Sequence, residues 1–189
     1  MVKGNTLEKY LIEHCAPTLA GMKSAGLFSC RFFSKEEIDR ELIRLNETLN
    51  ERGVYMKLML YNEDYALIYT YRKSHLEKDL KQEGVKELLL SYGYPQAEKL
   101  ENYLVCLKKR LCECNGFPHE IGVFLGYPLD DVKGFILNKG RDCKCCGLWK
   151  VYCNECETRK LFDKIQKCTR VYLQVFEEGR NLTQMTVCA

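Results

Sequence analysis

The chain has 189 residues, enough for one ordinary domain and for a core that hides about 70% of the unfolded surface. Hydrophobic residues at 46% and charged residues at 29% exclude a disordered or collagen-like chain. The net charge is only +3, with both signs interspersed and Lys108-Lys109-Arg110 the densest basic run, so nucleic acid is not an expected partner.

In chain order, Asn5 with Glu8 reads as a capping box that opens a first helix through Leu7, Tyr10, Leu11 and His14. Pro17 either stops that helix or opens a second one over Thr18–Ala25. Leu27–Phe33 reads as a strand. Ser34 and Glu37 form the next capping box, and Ile38, Leu42, Leu45 and Leu49 stripe one face of the helix that Gly53 ends.

Val54–Leu60 and Tyr65–Arg72 are the clearest strands, joined by a hairpin turn at Asn62-Glu63-Asp64. Tyr65–Arg72 has little polarity on either face, so it is expected to be covered on both sides. Short helices follow Ser74 and span Val85–Tyr92, and a longer one carries Leu100, Tyr103, Leu104, Leu107 and Leu111. His119–Tyr127 reads as a strand stopped by Pro128, and Asp130-Asp131 opens another helix. Leu148–Tyr152 is a short strand, and a last helix starts near Asn154 and ends at Gly179. Interspersed strands and helices predict an α/β (α+β) fold, a single domain over residues 1–189. Its mixed or antiparallel sheet would have about four to five strands flanked by helices.

The N-terminus reads MVKGNTLEKYLIEHC, without the apolar core of a signal peptide, and no stretch approaches the ~18 apolar residues of a membrane span. The expectation is a cytoplasmic protein without a membrane partner, whose thiols stay reduced. That sharpens the question posed by twelve cysteines, which are too sparse for a disulfide scaffold.

Six of them crowd one segment: Cys143, Cys145, Cys146, Cys153, Cys156 and Cys168. Cys143-Lys-Cys-Cys146-Gly147 and Cys153-Asn-Glu-Cys156 each contain C-x-x-C, and two such pairs can offer four thiolates to zinc or to an iron–sulfur cluster. The spacing argues against it, because zinc ribbons usually place about 15–20 residues between pairs and here only 147–152 intervene. Burial as small hydrophobes and a redox dithiol are the other readings.

His14-Cys15-Ala16-Pro17-Thr18 is a second candidate. If a helix begins at Pro17, Cys15 sits before its N-terminus and the dipole lowers its pKa; if the first helix ends there, the carbonyl end raises it. His14 points about 100° away from Cys15, so His119, with Glu120 beside it, is the better base. His14 also lies on the apolar stripe, where a satisfied core histidine is the plainer reading. In Phe117-Pro-His-Glu-Ile-Gly-Val-Phe-Leu-Gly-Tyr127, Gly122 and Gly126 mark tight packing or close approach by a ligand. Candidate ligand contacts are therefore His14, Thr18, Gly122, Gly126 and Tyr127.

Four strings together, Glu13–Lys23 (EHCAPTLAGMK), Phe117–Gly134 (FPHEIGVFLGYPLDDVKG), Cys145–Tyr152 (CCGLWKVY) and Lys167–Tyr172 (KCTRVY), resemble the bacterial family called domain of unknown function 3793. The resemblance implies a single-domain cytosolic protein of anaerobic bacteria and carries no established activity. It also implies that Cys15, Cys145, Cys146 and Cys168 belong to the family pattern, whereas Cys143, Cys153 and Cys156 do not. Family genes lying near those for ferrous-iron uptake and flavodoxin add an expectation of an iron or redox role.

Three functions follow as expectations. The first is binding of a metal, iron or zinc, or of a small redox ligand, by His14-Cys15, His119-Glu120 and the cysteines Cys145, Cys146 and Cys168. The second is an enzyme with Cys15 as nucleophile and His119 and Glu120 as catalytic partners. The third is a non-catalytic domain that binds a protein partner.

Overall fold

The computed structural model describes residues 6–31, 34–96, 99–114 and 116–188. Its elements in chain order are α1 (Leu7–Leu19), β1 (Ala25–Cys30), α2 (Lys35–Leu49), a 3-10 turn (Asn50–Arg52), β2 (Val54–Tyr61), β3 (Ala66–Arg72), α3 (Lys73–Leu80), α4 (Val85–Ser91), α5 (Leu100–Glu113), α6 (Ile121–Phe124), α7 (Leu129–Leu137), β4 (Cys145–Cys146), β5 (Lys150–Val151), α8 (Glu155–Glu177) and α9 (Leu182–Met185). The chain divides into two compact units: Met1–His75 with Ile165–Ala189, and Leu76–Lys164. The expected α+β class holds, with five strands among the described residues. They form a three-stranded antiparallel sheet and a separate two-stranded one instead of one larger sheet.

In the first unit the sheet order is β1-β3-β2. The hairpin between β2 and β3 is closed by Asn62, whose side chain accepts from the backbone N–H groups of Asp64 and Tyr65, both at 2.9 Å. All seven residues of the central strand β3 are buried, as the low polarity of both its faces predicts. Helix α2 starts where Ser34 accepts from the N–H of Glu37 at 3.1 Å. Its Asn46 pairs with the Met56 backbone in both directions, at 2.8 and 2.9 Å, which fixes α2 on β2. Leu7, Leu11, Ile12, Leu19, Phe28, Ile38, Leu45, Val54 and Ile68 build the core, closed by Leu182 and Met185 of α9.

Three expectations change. Asn5 lies outside the described residues, as do residues 32–33 of the expected Leu27–Phe33 strand, and Thr6 caps α1 by accepting from the N–H of Lys9. Pro17 neither stops α1 nor opens a second helix. It sits inside α1, which continues to Leu19, and a strand already begins at Ala25. Being near the helix end, Pro17 removes one helical hydrogen bond, while the buried Leu11, Ile12, Cys15, Ala16 and Leu19 keep the helix seated.

His119–Tyr127 is not a strand. Ile121–Phe124 forms the short helix α6, ended by Gly126 at φ +70°. The N–H of Tyr127 reaches the Gly122 carbonyl at 2.9 Å and that of Gly126 reaches Val123 at 3.1 Å. This is the left-handed glycine stop that satisfies orphan helix carbonyls. A short apolar run carries no period that separates strand from helix, and two glycines make the helical stop available.

Candidate ligand site

The second unit builds its site around Asp131 in the first turn of α7. Oδ2 accepts from the Trp149 indole N–H at 2.9 Å. Oδ1 accepts from the backbone N–H groups of Tyr152 (2.7 Å) and Cys153 (3.0 Å) and from the Cys153 thiol (3.3 Å). Burial alone would push this carboxyl up, but the donors outweigh it and hold it below the usual carboxylate range. The Cys153 thiol is pushed up to about 11 by burial and then by Asp131, so it stays protonated and donates. One carboxylate thus fastens the segment 149–153 onto α7.

Glycines let the pieces approach. A side-chain carbon added at Gly134 would lie 2.4 Å from the ring of Tyr152, one at Gly147 2.3 Å from Phe162, and one at Gly122 2.8 Å from Val132. Trp149 then stacks on Tyr127 with ring centroids 4.7 Å apart and meets the edge of Phe162 at 4.5 Å.

These elements enclose a cavity of about 280 Å³. Its walls are Phe117, Pro118 and His119 from the segment before α6, Ile121 and Gly122 of α6, Tyr127, then Asp131, Val132 and Phe135 of α7, and Leu148, Trp149 and Lys150. The lining is aromatic and aliphatic with few polar groups, the usual make-up of a small-molecule site. The exposed His119 meets Phe135 edge-on, with ring centroids 5.3 Å apart. The Lys150 ammonium donates to the Gly140 carbonyl at 2.6 Å and lies 5.9 Å from the centre of the Phe135 ring.

Of the sequence candidates, His119, Gly122 and Tyr127 line this cavity. Gly126 makes the turn beside it. Glu120 is fully buried, and its Oε1 accepts from Arg110 Nε and, at 3.1 Å, from the Tyr94 hydroxyl, while Oε2 has no hydrogen-bond partner. Its hydrogen bonds serve Arg110 and Tyr94 and none orients His119.

The other candidates of the first segment belong to the first unit. His14 is exposed and stacks on Phe28 at 5.7 Å, which corrects its reading as a core histidine. Cys15 is fully buried inside α1, with its sulfur against Gly26. Burial pushes its thiol up to about 12, the Thr70 hydroxyl offsetting only part of the shift. Thr18 is buried, and its carbonyl accepts from Arg72 Nε at 2.6 Å.

All twelve cysteines are free thiols. Cys145 on β4 is buried, Cys143 and Cys153 are half-buried, and Cys146 and Cys156 are exposed. Cys168 is half-buried on the part of α8 that belongs to the first unit. Among the described residues, no three His, Cys, Asp or Glu side chains are grouped to hold a metal ion.

Sequence reasoning passed over Asp131, Phe135 and Lys150 as site residues. Their one advance signal was the neighbourhood: the Phe117–Gly134 string and the chain's single tryptophan in the CCGLWKVY string.

A family model described as "Protein of unknown function (DUF3793)" matches residues 11–186, the family to which the four strings point. No curated protein and no solved structure matches the chain. No helix among the described residues is long and apolar enough to cross a membrane.

Proposed function

Because the chain belongs to the DUF3793 family, and membership brings no activity with it, we propose from its site that it is a small-molecule-binding protein. The ligand site is the aromatic cavity between α6, α7 and the segment 148–150. The observation that carries this reading is the cavity itself: about 280 Å³, apolar, walled by five aromatic rings, with the wall segment 149–153 fastened by Asp131. Its volume sits near the lower end of ligand sites, roughly 300–1,000 Å³, so the ligand is a small molecule of one or two rings. The buried thiols do not support a nucleophile: Cys15 at about 12 holds no appreciable thiolate at neutral pH.

Trp149 supplies the test, since a chain with one tryptophan gives one indole N–H resonance. Titration with toluene, a neutral ring, is expected to shift that resonance and the amide of Gly122. A Val132→Phe variant, or Leu148→Tyr at the exposed mouth should the first fail to fold, is expected to abolish the shift. An indole resonance unmoved by saturating toluene and by the charged ring probes cinnamate and cinnamylamine would refute the reading.

A further inference from the structure

The two charged groups in the cavity wall are not equivalent. Asp131 has spent both oxygens, accepting four hydrogen bonds within 3.3 Å from Trp149, Tyr152 and Cys153. Its charge is already compensated by donors of its own unit. Lys150 is the opposite case. Its ammonium has three donors, of which one goes to the Gly140 carbonyl. Lys150 makes no ion pair among the described residues. It also lies 5.9 Å from the centre of the Phe135 ring, whose face is a weak partner for a cation. An anion is attracted to a half-buried cation more strongly than to a fully hydrated one, because the local dielectric is lower.

The shape adds the second constraint. Trp149 stacks on Tyr127 and crosses Phe162 edge-on, so its own ring is held from both sides. Phe135 is met edge-on by His119. Fixed aromatic walls accept a flat guest through offset or edge contacts. At roughly 30 Å³ per water the cavity holds about nine waters, the room of one ring with a short side arm or of two fused rings.

We propose that the cavity selects planar, ring-bearing monoanions, with the ring among Phe135, Tyr127 and Trp149 and the anionic group on the Lys150 ammonium. This rests on the cavity being the ligand site and names the chemical class of its guest. Aromatic and unsaturated carboxylates fit the class.

The test is calorimetric titration of the full chain with three probes of one shape: cinnamate, the neutral cinnamamide and the cationic cinnamylamine. Cinnamate is expected to bind at least tenfold tighter than cinnamamide, and cinnamylamine weakest. Raising the salt from 0.05 to 0.5 M is expected to weaken cinnamate and leave the amide unchanged. In Lys150→Met, which keeps the apolar stem, the ratio of cinnamate to cinnamamide affinity is expected to shrink below about threefold. In Lys150→Arg the preference should persist.

Equal binding of acid and amide, or a preference for the cation, overturns the proposal on the unaltered protein alone, whether or not the variant folds. A preference that survives Lys150→Met overturns Lys150 as its source. If toluene shifts the Trp149 indole but cinnamate shows no advantage, the charge inference fails and the cavity reading stands. If no ring of any charge moves the indole, the cavity reading itself has failed.

Discussion

Replacing Asp131 with Asn tests whether one carboxylate fastens the segment 149–153 to α7. The variant keeps the shape and changes only the hydrogen-bonding code. Asn has one acceptor oxygen and one NH2 group. If its oxygen stays with the Tyr152 and Cys153 donors, the NH2 faces the Trp149 indole N–H across 2.9 Å, donor against donor. A buried donor left unsatisfied costs about 1–3 kcal/mol. The two backbone bonds fall from the charge-assisted range to the neutral one, about 1 kcal/mol each. Flipping the amide is worse, because two backbone N–H groups then face the NH2. The expected loss is about 3 kcal/mol, near two decades in the folding equilibrium of the second unit. With a slope of about 1 kcal/mol per molar urea for a segment of this size, the Trp149 fluorescence midpoint should fall by about 3 M.

The same residue fixes a pH signature. Its folded pKa lies below the ordinary 3.8, so its contribution is fully present above the unfolded value and is lost as pH falls through the folded one. The gap between wild type and Asp131→Asn should therefore be constant from pH 7 to about 5 and close on acidification below about 4. A variant within 0.5 M of wild type at pH 7, or a gap that does not close in acid, would refute the reasoning.

Gly134→Ala should destabilise the second unit by about 1–3 kcal/mol in urea despite the helix propensity of Ala, because the new carbon would lie 2.4 Å from Tyr152 Cγ and 2.5 Å from its Cβ, atoms that cannot swing away. In the first unit a carbon added at Gly26 would lie 2.6 Å from the Cys15 sulfur. Gly26→Ala should therefore be clearly destabilising by circular dichroism in urea, and Cys15→Ala/Gly26→Ala should lose less than the two single variants add up to. Arg72, 1% exposed, donates to the carbonyls of Thr18, Leu19 and Val187 at 2.6, 2.6 and 2.7 Å. Arg72→Met removes all three of these charge-assisted bonds, leaving Thr18 and Leu19 only their backbone donors Gly21 and Val187, and about 3 kcal/mol or more should be lost, with carboxypeptidase trimming the 182–188 segment faster than in wild type.

The parts that were legible in the sequence are those with a long, unambiguous period. Ile38, Leu42, Leu45 and Leu49 repeat at helical spacing behind a Ser34 cap, and α2 is there. The 54–61 and 66–72 strands flank an Asn that closes a turn with its own side chain, and the hairpin is there. His119–Tyr127 failed because nine mostly apolar residues with two glycines fit either period, and the choice was made by Gly126 adopting φ +70°. Asp131 was legible only as negative charge favouring a helix start. Its real partners lie 18–22 residues downstream and meet it only when the chain folds. The cavity has the same origin: no single segment contains it, since its walls come from 117–122, 127–135 and 148–150.

The cysteines that prompted the search for thiol chemistry instead show what this fold does to a thiol. A cysteine nucleophile is favoured by a pKa lowered by a nearby cation or helix N-terminus. Wherever a cysteine shift is resolved here, it runs the other way: Cys15, Cys30, Cys106, Cys153 and Cys168 are all pushed up, with burial the largest cause. Such thiols act as small apolar groups with a weak donor, as Cys15 does against Gly26 and Cys153 does on Asp131.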